Sequence, residues 1–436
     1  MPKLRLILDW SLYRLALLLA VPLIPLRLLW RGRRERGYWR HWGERLALGP
    51  APASGALWIH AVSVGEMRAA QPLIAALRRA RPGVPVLLSC MTPTGRATAE
   101  SLYGSFARIV YLPYDYAGSM RRFLRHAKPR LCVLMETELW PNLIHAAGRA
   151  DVPLVLANAR LSARSARGYA RLPALTRACL ERVALLAAQT DADAARLRSL
   201  GAMTVQVTGN LKFDITPPSE LLECGAAWKT KWGQRPVLLA ASTREGEEAA
   251  LLRAFADTAA AEVLLVLVPR HPQRFDEVAR LIEAVGLTHQ RRSALDSVEL
   301  KPETRVLLGD SLGELFAYYA ACDVAFVGGS LVPLGGQNLI EAASVGRPVL
   351  VGPHSFNFEE ATRLAIEAGA ALRVADADDL LANALRLLND EPTRARMGEA
   401  GLAFAKRHRG AAARVAELIV PLLASGTGRS GRDRPG

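Results

Sequence analysis

Glu66 stands in SVGEMRAAQPLIAALR, an amphipathic stretch that follows the β-rich run ALWIHAV. A carboxylate placed there can take a proton from a sugar hydroxyl; the plainer alternative is a stabilising acid in the first turn of a helix. Glu136 and Glu138 end the run LCVLMET beside Trp140, where two acidic groups against an apolar ring cost desolvation. Lys212, in GNLKFD, can offset negative charge growing on a leaving phosphate or carboxylate. Arg270, in VPRHPQRF, suits phosphate because its fork binds two oxygens at once; a salt bridge at a helix start is its structural alternative.

The most specific segment is FVGGSLVPLGGQNLIEAASVGRPVLVGP, residues 326–353. A strand ends at Gly328-Gly329-Ser330, and Gly335-Gly336 opens a helix predicted to begin near Asn338. Glycines let backbone N–H groups approach a phosphate, and a helix start adds partial positive charge. A glycine-rich turn with an Asn cap is the competing reading. Glu341, one turn in, can accept hydrogen bonds from ribose hydroxyls, and Gly313 in Leu312-Gly313-Glu314 permits close approach of a base.

Other chemistries are not supported. The dinucleotide fingerprint G-x-G-x-x-G and the Walker lysine are absent, which argues against a dehydrogenase and a P-loop NTPase. No G-x-S-x-G elbow supports a hydrolase. The strings Asp191-Ala-Asp193 and Asp376-Ala-Asp378 resemble metal–nucleotide-sugar motifs, yet both border short Ala/Leu-rich helical segments where Asp favours caps. The eight histidines are scattered. The five cysteines, widely spaced and without a C-x-x-C pair, read as small buried residues of a reducing compartment. No metal and no cofactor is expected.

These residues need a scaffold that brings loop ends together. The runs ALWIHAV, VPVLLSCMT, ARIVYLP, LCVLMET, VPLVLANAR and VQVTGN read as strands, as do PVLLAAST, EVLLVLVPR, RVLLGDS, VAFVGGS and PVLVGP. Strands this continuously apolar are buried on both faces, as in parallel sheets covered by helices. The fold class expected is α/β, with two doubly wound Rossmann-like domains facing a central cleft. Boundaries are expected at 1–46 for an N-terminal segment, 47–212 for the first domain, 213–234 for a linker and 235–424 for the second domain. A Gly/Arg-rich tail, 425–436, reads as disordered. In such sheets ligands bind outside the carboxyl ends of the strands, where the residues above fall.

The chain has 436 residues and a net charge of +15, which points to an anionic partner. Its first 46 residues hold ten Lys/Arg against three Asp/Glu, so +7 of that charge lies in one short segment. The uncharged run LALLLAVPLIPL is short for a membrane span and contains Pro22 and Pro25. Aromatic residues and arginines flank it, a pattern suited to the interface of a membrane with anionic head groups. A short signal-anchor, an interfacial segment and a buried helix all fit. The stretch RRFLRHAKPR, residues 121–130, reads as a solvated helix face. A non-catalytic basic protein that binds nucleic acid or membrane is the non-enzyme alternative. It needs neither paired loops at strand ends nor buried carboxylates, and stacking aromatics are not interleaved with the charge beyond the N-terminus.

Two Rossmann-like domains with a glycine-rich helix start and no metal motif suggest a GT-B glycosyltransferase. WIHAVSVGE, MTPTGRATAE, VYLPYD, METELWPNLI, NARLSARSARGYA, LKFD, EGEE, VPRHPQRF, FVGGSL, GGQN and GPHSFNFEEAT together resemble the lipid A 3-deoxy-D-manno-octulosonic acid (Kdo) transferase family, collinearly to about residue 420. The resemblance implies a protein of the cytoplasmic face of the inner membrane. It implies a CMP-Kdo donor, a lipid A precursor as acceptor, and inversion without a bound metal. It places the general base at Glu66 and two charged stabilising groups at Glu136 and Lys212; preferring Glu136 to Glu138 rests on the family pattern. CMP contacts map to Pro269 and Arg270, to Leu312, Gly313 and Glu314, and to Asn338, Leu339, Ile340 and Glu341. Two departures stand out: Gly336-Gln337-Asn338-Leu339 where the family often has Gly-Gly-His-Asn-Pro, and Arg244 where His is frequent. Anionic inner-membrane lipids are expected partners, and nucleic acid is not. The rival enzyme reading is a nucleotide-sugar epimerase on the same fold. The number of Kdo residues added is not legible.

Overall fold

A computed structural model describes residues 2–49, 54–233, 235–258 and 260–425. The chain divides into two compact units, Met1–Asp214 with Gly410–Gly436, and Ile215–Arg409. In the first, β1 (Leu57–His60), β2 (Val86–Cys90), β3 (Ala107–Tyr111), β4 (Leu131–Met135), β5 (Leu154–Ala159), β6 (Leu185–Ala188) and β7 (Val205–Val207) form a seven-stranded sheet. Its order is β3-β2-β1-β4-β5-β6-β7, and every pair is parallel. Alternate side chains of each strand enter different cores. Trp58, Cys132 and Leu134 join one, while Leu57, Ile59, Val133 and Met135 join the other. A period of two with both faces apolar is what helices on both sides of a sheet require.

The winding reverses between β1 and β4. Crossovers leave these neighbours in opposite directions, which opens a crevice at their carboxyl ends. Ser63 to Glu66 follow β1 and Glu136 to Glu138 follow β4, so the sequence-predicted residues sit at the switch point.

The second unit repeats the plan with β8 (Val237–Thr243), β9 (Leu264–Pro269), β10 (His289–Arg291), β11 (Val306–Leu308), β12 (Val324–Val327), β13 (Val349–Val351) and β14 (Ala371–Arg373). The order is β10-β11-β9-β8-β12-β13-β14, again all parallel. Its reversal lies between β8 and β12. There Gly328 lets two strand ends approach, since a Cβ would lie 2.7 Å from the Cα of Thr243.

Three segments sit differently from the expected boundaries. The stretch expected as a linker contains a helix, Ser219–Lys231, that belongs to the second unit. It presses so closely on the helix Leu315–Ala321 that a Cβ at Gly225 would meet the Ala317 carbonyl at 2.2 Å. The last helix, Ala411–Ser425, returns to the first unit instead of ending the second. Its Val415, Ile419 and Leu423, spaced by four, enter the core that holds Leu73, Ile74 and Leu77. Asp214 accepts from the backbone N–H groups of Gly410 and Ala412, pinning the return to the exit of that unit. Apart from Ser425, the expected tail lies outside the described residues.

The N-terminal segment is built into the first unit. Helices Pro2–Ala20 and Leu23–Arg34 meet at a 48° bend. Among the described residues no single helix is long and apolar enough to cross a membrane; this bent pair meets the length and composition together. The first helix is inverted relative to a soluble one. Asp9 is buried and accepts from the N–H groups of Ala174 (3.0 Å) and Leu175 (3.1 Å), capping the helix Pro173–Leu180. Tyr13 donates to Asp115 at 2.6 Å, and Asp115 caps the helix Pro141–Arg149 through the N–H groups of Asn142 and Leu143. Leu4, Leu8, Leu12, Leu15 and Leu19 are exposed. Asp9→Ala leaves two N–H groups at a helix start without their acceptor and should cost about 1–2 kcal/mol. The loss is read as a lower urea midpoint with faster protease cleavage in the first twenty residues; an unchanged midpoint rejects the capping role.

Candidate active site

In the first unit, Ser63 caps the helix Val64–Ala69 by accepting from the Glu66 N–H at 3.4 Å. Glu66 reciprocates: one carboxylate oxygen accepts from the Val62 N–H at 2.8 Å and the other from the Ser63 hydroxyl at 2.9 Å. This is a variant of the capping box, with Val62 in place of the cap residue supplying the N–H, so the structural role weighed for Glu66 is present. A second character is superimposed on it. Burial and the charge of Glu136 raise its pKa, while the Val62 N–H, the Ser63 hydroxyl and the Lys212 charge oppose them, burial winning. Glu66, Glu136 and Lys212 therefore share one electrostatic neighbourhood.

Glu136 has a left-handed backbone, φ 58°. For a residue with a Cβ that conformation is strained, and strain of this kind gathers at functional sites. Glu138 follows two residues later, and burial first, then the charges of Glu66 and Glu136, push its pKa up to about 7. Three carboxyl groups thus crowd the β1–β4 switch point, where like charge adds to burial in favouring the protonated forms of Glu66 and Glu138.

Lys212 lies in the short helical turn Leu211–Phe213, capped by Asn210. The turn is held by Asn158, fully buried in β5 and also left-handed at φ 57°. The Asn158 side-chain oxygen accepts from the Leu211 N–H at 2.9 Å, and its carbonyl accepts from Gln189.

In the second unit, Arg270 follows β9 and donates its backbone N–H to Thr243 at 3.0 Å. Burial and the charges of Arg244, Arg270 and Arg274 hold the His271 imidazole below its ordinary value, so three guanidinium groups converge there. Arg274 is neutralised by Glu248 at 2.7 Å and Glu277 at 2.9 Å. Pro269 is buried at the end of β9. Burial raises the Tyr319 hydroxyl pKa, and among the nearby charges Glu341 adds to the rise and Arg270 opposes it. Asn338 accepts from the Ile340 N–H and donates to Glu341, both at 3.2 Å. Leu339 and Ile340 are fully buried, and the Ile340 N–H is already taken by the Asn338 side chain. Leu312 and Gly313 are exposed, and Glu314 is held at 3.2 Å by Arg292, whose guanidinium stacks on Trp228.

The glycine loop departs from expectation. Gly329, Ser330 and Leu331 do not present their N–H groups to a ligand, because buried Glu247 already accepts all three, at 2.6, 2.9 and 2.9 Å. Gly336 and Gln337 donate to the carbonyls of Gly329 and Gly328. The loop is an anion nest filled by the protein's own carboxylate. Both D-x-D strings are caps: Asp193 accepts from the Leu161 N–H and the Thr190 hydroxyl, and Asp376 from the Asp379 N–H. Among the described residues no three His, Cys, Asp or Glu side chains are grouped to hold a metal. All five cysteines are free, and four are buried.

Comparison with known proteins gives this geometry a family. Residues 40–215 match the family model "3-Deoxy-D-manno-octulosonic-acid transferase (kdotransferase)", and residues 251–404 match "Glycosyl transferases group 1". A 3-deoxy-D-manno-octulosonic acid transferase of Bordetella pertussis is 48% identical over 424 residues, covering 94% of this chain and 98% of that protein. A transferase of the same name from Haemophilus influenzae is 41% identical over 379 residues, covering 85% and 88%. The chain belongs to the 3-deoxy-D-manno-octulosonic acid transferase family. It is a glycosyltransferase. Among solved structures, a putative UDP-N-acetylglucosamine 2-epimerase from Listeria monocytogenes aligns over 88% of this chain and 99% of its own, with TM-score 0.55 and 16% identity. A UDP-GlcNAc 2-epimerase from Neisseria meningitidis aligns over 85% and 100%, also with TM-score 0.55 and 16% identity. Those likenesses establish the GT-B-type fold.

For this member of the Kdo transferase family, sequence reading missed two positioning residues. Glu247 had a signal, consecutive acids in EGEE directly after a strand. Asn158 had another, a lone amide inside an apolar strand.

Two outcomes follow from these contacts. The Glu138 carboxyl, followed by carbon NMR, should titrate near 7, and Glu136→Gln should lower that value by removing a repelling charge. The folded chain binds this proton more tightly than the unfolded one. Its stability therefore falls as pH rises from the ordinary 4.5 to about 7. A Glu138 titration in the ordinary range overturns the crowding argument. Independently, Glu247→Gln turns an amide toward backbone N–H donors. It should cost about 1–3 kcal/mol and speed hydrogen exchange at residues 329–331; unchanged exchange there rejects the clamp.

Proposed function

We propose that this chain transfers Kdo from CMP-Kdo to the glucosamine disaccharide of a lipid A precursor, with inversion, in lipopolysaccharide core biosynthesis. The observation that carries the reading is the switch-point cluster, where Glu66 is desolvated beside Glu136 and within reach of the Lys212 charge. A carboxylate whose pKa is raised toward neutrality is a better base for a sugar hydroxyl than an ordinary one.

In the proposed step Glu66 takes the acceptor hydroxyl proton. The hydroxyl oxygen bonds to the anomeric carbon of Kdo as the bond from that carbon to the CMP phosphate oxygen breaks. One bond forms on the face opposite the one that breaks, so the centre inverts. Glu136 offsets the positive charge that develops at the anomeric carbon, and Lys212 the negative charge of the leaving phosphate or of the Kdo carboxylate. On the donor side the glycine nest is filled by Glu247, so phosphate charge falls to Arg270, beside Arg244 and Arg274. Pro269, Leu312, Gly313, Glu314, Asn338, Leu339, Ile340 and Glu341 frame the cytidine monophosphate, the buried Leu339 and Ile340 by packing behind Asn338 and Glu341. We assign the acceptor to the first unit and the donor to the second.

The same reading sets the protein on the cytoplasmic face of the inner membrane. Exposed leucines of the N-terminal helix meet the acyl region and the flanking arginines meet anionic lipid. The epimerase alternative shares the fold and leaves this apolar face without a role.

The test is mass spectrometry of a tetraacylated lipid A precursor after incubation with purified protein and CMP-Kdo, with Glu66→Gln alongside. Wild type should add one or more Kdo masses. Glu66→Gln should retain CMP binding while turnover drops about 10²- to 10⁴-fold. No mass gain by wild type sinks the function; turnover within a few-fold of wild type sinks the base.

A further inference from the structure

The helix Ala163–Tyr169 has an unusual standing in the first unit: none of its residues is buried. Ala166 and Tyr169 only touch the core from outside. A seven-residue helix gains little from its own hydrogen bonds, so its position is fixed by what grips it. Asp193 holds the preceding Leu161 and Thr176 the Tyr169 carbonyl, and two further grips fall on one residue. Thr137 donates its hydroxyl to the Arg160 carbonyl, and the Tyr169 hydroxyl donates to the Thr137 carbonyl at 3.2 Å. Thr137 is the residue between Glu136 and Glu138, so this segment is fastened at both ends to the carboxylate turn.

Its charge is equally one-sided. Residues 152–180 hold five arginines and no aspartate or glutamate. Arg160, Arg164, Arg167 and Arg171 are exposed, and among the described residues none of their guanidinium groups has a hydrogen-bond or ion-pair partner. Just beyond Arg171 begins the helix Pro173–Leu180, which Asp9 of the N-terminal helix caps. The arginines thus lie in sequence and in contact between the catalytic carboxylates and the exposed apolar helix.

An anionic acceptor approaching Glu66, Glu136 and Glu138 meets three acidic groups. Without compensating cations at the same edge it is repelled over roughly a Debye length, about 8 Å at physiological salt. We propose that the segment from Arg160 to Arg171 binds phosphate groups of the glycolipid acceptor and so seats its hydroxyl at the carboxylate turn. This rests on the function proposed above. Guanidinium groups suit the task through paired hydrogen bonds to phosphate oxygens. A helix that buries nothing can carry them at no cost to the core.

The experiment compares full-length wild type with Arg164→Gln/Arg167→Gln in detergent micelles. It uses the phosphorylated tetraacylated acceptor and the same glycolipid after phosphatase treatment. The double variant should raise KM for the phosphorylated acceptor about 10- to 100-fold, the effect of losing one or two charge-assisted hydrogen bonds. Its KM for CMP-Kdo and its melting temperature should stay at wild-type values. On the dephosphorylated acceptor the two proteins should converge, and Arg164→Lys/Arg167→Lys should recover part of the loss. An unchanged acceptor KM, or an equal loss on both acceptors, overturns the proposal. Co-sedimentation with phosphatidylglycerol vesicles separates the other source of phosphate. A variant that loses vesicle binding yet keeps its acceptor KM assigns the arginines to membrane lipid and overturns the acceptor role. If wild type itself transfers no Kdo, the function proposed above fails whatever the arginines do.

Discussion

When all strands of a sheet run parallel, every carboxyl end falls on one edge, and the winding can reverse at only one place. Both units obey this constraint, with reversals at β1–β4 and β8–β12. Glu66 and Glu136 are far apart in sequence because adjacent strands at a reversal belong to different halves of the winding. Their loops diverge, and what lies between is open to a ligand. Glu247 and the glycine loop occupy the equivalent corner of the second unit. There the corner is closed by a buried carboxylate, which leaves Arg270 at the end of β9 as the phosphate contact of the proposed function.

Carboxylates recur as the means by which this basic chain fixes backbone. Asp9, Asp115, Asp193, Asp214 and Glu247 each accept two or more backbone N–H or hydroxyl groups, most at helix starts or in tight loops. Four of these five are buried, where an unsatisfied N–H would cost more than the bond returns. Glu66 uses the same capping geometry, and the structural and chemical readings of it are compatible. Hydrogen bonds from Val62 and Ser63 fix the orientation of its carboxylate, while burial and Glu136 keep it basic. In the proposed role of base, a carboxylate held by its helix cap loses no rotamer freedom when substrate arrives.

Much of this was legible because its causes are local. Apolar runs of strand length marked eleven of the fourteen strands. β6 reads LLAA, which favours a helix as readily as a strand, and becomes a strand only through pairing with β5 and β7. β10 and β14 are three-residue edge strands with too few apolar positions to announce themselves. The return of Ala411–Ser425 to the first unit was hidden because an amphipathic helix does not name the core it enters. The switch-point residues were readable as acids at strand ends; their crowding was not, since it depends on which strands become neighbours. The glycine loop misled because a nest for an anion looks the same in sequence whether a ligand or Glu247 fills it.

The N-terminal helix ties these themes to the substrate. In water a helix buries leucine and exposes acid; here Asp9 and Tyr13 face the protein and the leucines face outward. That inversion is stable only if the outward face meets something apolar. The polar face in turn does structural work on the sheet's carboxyl edge. Tyr13 bonds Asp115, which caps the helix that follows Trp140, and so the helix is joined to the chain leaving the Glu136–Glu138 turn. A glycolipid acceptor has the matching polarity, acyl chains at one end and a charged sugar at the other. In the proposed function, the helix assigned to the acyl region is braced, through two hydrogen-bonded carboxylates, against the loops assigned to the sugar. An anchor on a flexible linker would supply membrane affinity but would leave the height of the sugar above the membrane undefined. A helix folded into the first unit fixes that height, as the proposed chemistry on a single hydroxyl of a membrane-bound sugar requires.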